Sequence, residues 1–226
     1  MRIGVLADIH GNAQALDAAI VDCNNNGIDT FILLGDLYTK GPEPYKVFQR
    51  LSTCNVIERI AGNTEKWFNN NSIDNRKKAF VEYCNRSFPS VYQDIERMKD
   101  EFILDALDKK ILFIHHWSKS MFSKRKLDEM NEKSIQIIIS AHTHIPIDIL
   151  SDNQNDDSII HWNPGSVGTP YDGDWRCSFG ILTIENEISF EIVRVDYDIE
   201  KERKIAISQN IPYLREYLKV IERGKA

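Results

Sequence analysis

Asp8 and His10 stand one position apart near the amino terminus and are followed at once by Gly11. A carboxylate and an imidazole are hard and borderline metal ligands, although one Asp-x-His pair is equally consistent with ordinary polarity at a strand end. The same chemistry returns along the chain: Asp36 after Gly35, Asn63 after Gly62, His115 after an apolar run, and His142-x-His144. Oxygen and nitrogen ligands without a thiolate suit Mn, Fe or Zn in a hydrolase better than a structural zinc site. Seven such groups exceed what a one-ion catalytic site uses and suit two ions sharing a bridging carboxylate. Paired cations roughly 3.5–4 Å apart clamp a phosphoryl oxygen and generate hydroxide near neutral pH.

These residues need rigid supports that end at a common edge. Ile3, Val5 and Leu6 form a short branched apolar run that reads as a buried parallel strand ending at Asp8. Ala15, Leu16, Ala19 and Ile20 give helical spacing over 13–24, with Gly27 as the stop. A second strand over 30–34 delivers Gly35-Asp36, a helix runs to Leu51, and a third strand over 56–60 delivers Gly62-Asn63. Three strand–helix units predict a parallel sheet with helical crossovers, whose ligands collect outside the carboxyl ends of the strands.

Residues 65–107 read as a mostly helical insertion, whose aromatics Trp67, Phe68, Phe80, Tyr83, Phe88 and Tyr92 fit core-facing helix positions. The next strands, over 111–114 and 135–139, end at His115-His116 and at His142 and His144, with a charged loop and short helix over 118–132 between them. Residues 147–150 and 159–161 then read as a hairpin around a turn at 151–157, which makes His161 a sheet residue rather than a ligand. Residues 177–184 and 188–195 alternate with period two as a second hairpin, and a helical tail over about 198–226 is broken at Pro212. Parallel units followed by antiparallel hairpins predict an α/β fold of two packed sheets, in one domain spanning 1–226.

Composition narrows the function. The formal charge of −6, from 28 basic and 34 acidic residues, disfavours a non-specific nucleic-acid binder. It leaves room for a small phosphorylated substrate, because a metal supplies positive charge locally. The four cysteines lie far apart with no CxxC pair, which fits a reducing compartment rather than a disulfide framework or zinc knuckle. The first apolar run is too short for a secretory leader and is interrupted by Asp8. No stretch approaches the eighteen or so apolar residues of a membrane span. The expectation is a soluble cytoplasmic protein with no membrane partner and no stable nucleic-acid complex. No oligomeric state is implied.

Taken in order, Asp8-x-His10, Gly35-Asp36, Gly62-Asn63, His115 and His142-x-His144 resemble the motifs of the calcineurin-like metallophosphoesterases. The stretches ADIHGN, GDLYTKGPEP, AHTHIP and NPGSVGTPYDGDWR are similar to the compact prokaryotic phosphodiesterase branch, which includes diadenosine tetraphosphate hydrolase-like proteins. The resemblance covers essentially the whole chain. It implies an α/β/β/α two-sheet sandwich with a dinuclear centre at its rim. Asp8, His10 and His144 would hold one ion, Asn63, His115 and His142 the other, and Asp36 would bridge them. The implied cofactors are two divalent or iron-type ions, manganese first, with iron, zinc or nickel as alternatives. The implied reaction is in-line attack on phosphorus by a metal-activated hydroxide.

One departure bears on the chemistry. Where relatives carry Gly-Asn-His followed by an acid, this chain has Gly62-Asn63-Thr64-Glu65. Threonine cannot replace a histidine as an acid at neutral pH, so leaving groups that depart without protonation are expected, namely aryl oxides or phosphoanhydrides. His116, where many relatives have Gly, is the candidate catalytic substitute, weighed against a role in orienting a neighbour. Asn12, Tyr171 and Arg176 lie in motif loops beside the expected rim, Asn12 and Arg176 as candidate substrate contacts, Arg176 equally as a structural ion pair. The expected activity is a phosphodiesterase or a nucleotide phosphoanhydride hydrolase of the diadenosine polyphosphate type, on a small and nucleotide-like substrate. Phosphomonoesterase action is the alternative. A non-catalytic scaffold, such as the phosphoesterase-like subunit of the retromer complex, would be expected to have lost ligands that are all present here.

Overall fold

A computed structural model describes residues 1–117, 133–149 and 159–225. The loop and short helix expected over 118–132 and the turn expected over 151–157 lie outside the described residues. Strand β1 (Arg2–Leu6) leads into helix α1 (Ala13–Asn25), and β2 (Thr30–Leu33) into α2 (Pro44–Ser52) and β3 (Asn55–Arg59). Helices α3 (Asn75–Ser87) and α4 (Val91–Ile95) precede β4 (Glu101–Ala106), β5 (Lys109–Ile114), β6 (Ile135–Ile139), β7 (Ile147–Ile149) and β8 (Ile160–Asn163). The chain closes with β9 (Cys177–Ile184), β10 (Ile188–Val195), α5 (Ile199–Gln209) and α6 (Leu214–Arg223).

The strands form two five-stranded mixed sheets, in the orders β10-β9-β1-β2-β3 and β4-β5-β6-β8-β7. β1 shows why they pack as a sandwich. Its Ile3 and Val5 are fully buried in a layer that includes Phe113, Ile137 and Ile139 of the opposite sheet. Its Leu6 joins Leu16 and Ala19 of α1 on the outer side. A strand covered on both faces carries a continuous apolar run, as this one does. β2 repeats the pattern, with Ile32 between the sheets and Phe31 and Leu33 under α1.

The helical reading of 65–107 is corrected at its end. Helix reaches only to Ile95, and Glu101–Ala106 is an edge strand antiparallel to β5, with Phe102 opposite Phe113. A run as short as Phe102–Leu104 carries no decisive periodicity. Pairing with β5 across Leu107, which holds φ +51°, settles it as a hairpin.

The tail forms the two helices expected, α5 and α6, separated by Asn210 and Tyr213, both left-handed, on either side of Pro212. α5 lies against α1 and α6. Ala206, Tyr217 and Ile221 share a buried cluster with Tyr83 of α3, so the tail is fastened to α3. Among the described residues no helix is long and apolar enough to cross a membrane.

Candidate metal centre

The carboxyl ends of β1, β2, β3, β5 and β6 all deliver a polar residue to one rim. The backbone there is unusual: Asp8, His10, Asp36, His142 and His144 all have positive φ, between 49° and 71°. Left-handed non-glycine residues are uncommon and cost free energy, and they concentrate at functional sites. Amide bonds lock the loops in this form. Asp8, His10 and Gly11 donate their N–H groups to the carbonyls of Gly35, Asp36 and Leu37 respectively. Gly62 passes so near Asp36 that a Cβ there would overlap the Asp36 carboxylate.

Oxygen and nitrogen atoms of Asp8, His10, Asp36 and His144, all buried, lie within 4.8 Å of one another. His10 Nε2 is 3.2 Å from His144 Nε2 and 3.5 Å from Asp36 Oδ2, and His144 Nε2 is 3.4 Å from Asp8 Oδ1. Across Asp36 lies a second group. Its other oxygen is 3.6 Å from His115 Nε2, and Asn63 Oδ1 is 3.1 Å from His115 Nε2 and 2.7 Å from His142 Nδ1. The two oxygens of Asp36 thus face different histidines.

The polar atoms fit a cation. Asp8 Oδ1 and His10 Nδ1 are buried without a hydrogen-bond partner, which is costly for a carboxylate oxygen unless a positive charge meets it. His115 and His144 each place Nδ1 against a backbone carbonyl, Leu34 O at 2.6 Å and Thr169 O at 2.5 Å. An Nδ1–H donated there leaves Nε2 with its lone pair aimed into the cluster, the arrangement that orients metal-binding imidazoles.

Electrostatics agree. Burial and the neighbouring Asp36 raise the Asp8 carboxyl well above its usual range. Burial would raise Asp36 too, but His115, His10 and Lys40 hold it below the usual carboxylate range. Burial, with Lys40 second, lowers His10 and takes His144 down to about 3. Burial and His116 take His142 down to about 4. These imidazoles are neutral near pH 7, the state that binds metal.

The remaining predicted residues are placed as follows. His116 is half-buried, stacks on His142 with centroids 4.0 Å apart, and lines a recess of about 340 Å³ with Asn63 and His115. Asn12 is fully buried and engaged as the N-cap of α1, accepting from Ala15 N and donating to Gly168 O and Tyr197 Oη. The Arg176 guanidinium is paired with the carboxylate of Asp174 at 2.6–3.2 Å. Neither is brought into the cluster as a free polar group. Thr64 is fully buried; its N–H donates to Asp36 Oδ1, and its hydroxyl has no partner. His161 is a sheet residue, as expected, its ring bonded to Ser140 Oγ.

Two residues at the site carry no role in the sequence reading. The buried Glu65 carboxylate accepts the N–H groups of Asp36, Leu37 and Gly62, so it clamps the β2 loop to the β3 loop. Burial and Asp36 push it up to about 7, against the pull of those amides. Lys40, at φ +81°, brings Nζ within 3.1 Å of His10 Nε2. Both stand in stretches already notable as motifs, the Gly-Asn-Thr-Glu and the Lys-Gly-Pro-Glu-Pro.

Comparison with known proteins points one way. The family model described as the calcineurin-like phosphoesterase superfamily domain matches residues 1–187. An uncharacterized protein of Methanocaldococcus jannaschii is 28% identical over 236 residues, 93% of each chain. The phosphodiesterase YfcE of Escherichia coli is 24% identical over 88% of this chain and 95% of its own. The crystal structure of a metallophosphoesterase from Sphaerobacter thermophilus superposes with a TM-score of 0.74 at 22% identity, covering 99% of both chains, and so shares the fold.

Proposed function

Because the chain belongs to the calcineurin-like phosphoesterase superfamily, we propose that it is a metal-dependent phosphodiesterase acting on a small phosphoester. The observation that carries this reading is the buried Asp8, His10, Asp36 and His144 cluster, with the unpartnered Asp8 oxygen at its centre. The resemblance of the E. coli phosphodiesterase supports the diester preference.

In this reading Asp8, His10 and His144 hold one ion, Asn63, His115 and His142 a second, and Asp36 lies between them. Divalent ions there, manganese first, would neutralise phosphoryl oxygens and bring a water's pKa near neutrality. The protein's own work is to keep those ligands in place. The Leu34 and Thr169 carbonyls orient two imidazoles, and Glu65 fixes the loop that carries Asp36. Lys40 adds positive charge beside His10, where an anionic substrate would sit. Thr64 offers no proton to a departing oxygen, and burial lowers His116 below its ordinary value. Aryl oxides and phosphoanhydrides, the latter including dinucleoside polyphosphates, are therefore the favoured leaving groups. The reducing-type cysteine pattern supports a cytoplasmic setting.

Metal analysis of the purified protein, with turnover of bis(4-nitrophenyl) phosphate and 4-nitrophenyl phosphate in added manganese, tests the proposal. Bound metal and a faster diester are expected. A metal-free, inactive protein after manganese addition would refute it, and a faster monoester would make the protein a phosphomonoesterase.

A further inference from the structure

A cleft of about 310 Å³ opens beside the metal cluster, within the range of small-ligand sites. Its inner end is shared with the cluster: Lys40 reaches His10, and the Tyr171 ring stacks on His144 with centroids 4.3 Å apart. Its outer walls come from α3, through Arg76 and Phe80, and from Tyr213 and Glu216 at the start of α6.

Three features of those walls bear on a ligand. Tyr213 holds φ +56°, a region that disfavours bulky side chains, yet the residue is 37% exposed, so core packing does not account for it. Phe80 and Tyr213 stand with ring centroids 5.4 Å apart and tilted by 43°, forming an aromatic corner. Arg76 lays its guanidinium 4.6 Å from the Tyr213 ring centre. The cleft thus runs from Lys40 at its cationic inner end, past Arg76 on the α3 wall, to Tyr213 and the Glu216 carboxylate at its outer edge.

We infer that this cleft is the subsite for the non-phosphate half of the substrate, and that this half carries a flat aromatic ring, as a nucleoside or an aryl ester does. The inference rests on the phosphodiesterase reading for where the phosphate sits. Lys40 and Arg76 meet the anionic ester, while the exposed Tyr213 offers the ring against which a base stacks, with the buried Phe80 ring backing it. Glu216 accepts the N–H or hydroxyl hydrogens that a nucleoside provides and a plain aryl group lacks. An alkyl half would bring neither a ring to Tyr213 nor hydrogen-bond donors to Glu216.

The test compares three diesters with one leaving group: the 4-nitrophenyl phosphates of thymidine, phenol and methanol, with the manganese-loaded full chain. The thymidine ester should exceed the methyl ester in kcat/KM by about tenfold or more, as a stacked base typically supplies. Tyr213→Asn should cut that ratio about tenfold, since asparagine tolerates the left-handed backbone while removing the ring. Arg76→Gln is the second variant. A phenyl ester matching the thymidine ester would show that the ring alone suffices, which supports the subsite. Binding is read separately, by saturation transfer from the chelator-treated protein to the ring protons of AMP, a signal that Tyr213→Asn should abolish. A wild-type ratio near one, or a ratio that both variants leave intact, overturns the inference. If no diester is hydrolysed but the AMP signal persists and needs Tyr213, the phosphodiesterase reading falls and the ring site stands. If neither is seen, both fall.

Discussion

Glu202 offers a sharp test of how the tail is fastened. It is fully buried in α5, with Oε1 2.5 Å from the Tyr217 hydroxyl of α6 and Oε2 unpartnered. Burial pushes its carboxyl up to about 8, a rise that the Tyr217 hydrogen bond only partly offsets. A carboxyl raised in the folded state binds its proton more tightly there than in the unfolded chain. The folded state is therefore favoured fully below the ordinary value near 4.5, and that advantage drains away as pH climbs to about 8. At about 1.4 kcal/mol per displaced unit, the loss over roughly three units is on the order of 4 kcal/mol.

Glu202→Gln removes the titration while keeping the shape. Its amide oxygen still accepts from Tyr217, but its NH2 replaces the unpartnered oxygen and leaves buried donors, at about 1–3 kcal/mol. The variant should thus be less stable than wild type near pH 5. It should be more stable near pH 8.5 by about 2 kcal/mol, or roughly 4–8 °C in Tm for a chain of this size. Urea and thermal unfolding of both proteins across this range, with chelator present, read the difference. Titrations common to the two proteins cancel in it. A difference that stays constant with pH, or keeps one sign throughout, would show that Glu202 does not hold its proton in the fold.

Three further outcomes are expected. Asp36→Asn should lose bound metal and activity by more than the roughly 10–100-fold that outer partners of metal ligands cost; metal content and diester turnover check this together. Glu65→Gln should destabilise by about 1–3 kcal/mol, because its amide end presents donors to amides that need an acceptor, and urea unfolding measures it. Because burial and His115 lower His116 below 6.5, any proton it donates counts mainly on the acid side. The wild-type advantage over His116→Ala should grow as pH falls below the ordinary histidine range, and a ratio that does not change with pH would exclude the acid role.

The strand-end residues were legible because each follows an apolar run directly, and parallel topology sends the ends of β1, β2, β3, β5 and β6 to one rim. The sequence thus predicts which groups meet without knowing their distances. What it hides depends on contacts made by folding. Lys40 and Glu65 reach the cluster only because the loop after β2 takes left-handed turns at Gly35, Asp36 and Lys40 and the loop after β3 interlocks with it, and no periodicity reports that. The aromatic cleft exists only because the tail returns across α3 and sets Tyr213 against Phe80, which stays a core-facing helix residue as expected. Asn12, a candidate substrate contact, and Arg176, equally a candidate structural ion pair, both have local partners in the fold. A polar residue one step before a helix is first an N-cap, and an arginine two residues after Asp174 has a partner at hand. Local hydrogen bonding claims such groups before any substrate does. Motif-loop polarity is thus weaker evidence for binding than a polar atom that folding buries and leaves without a partner, as it does at Asp8.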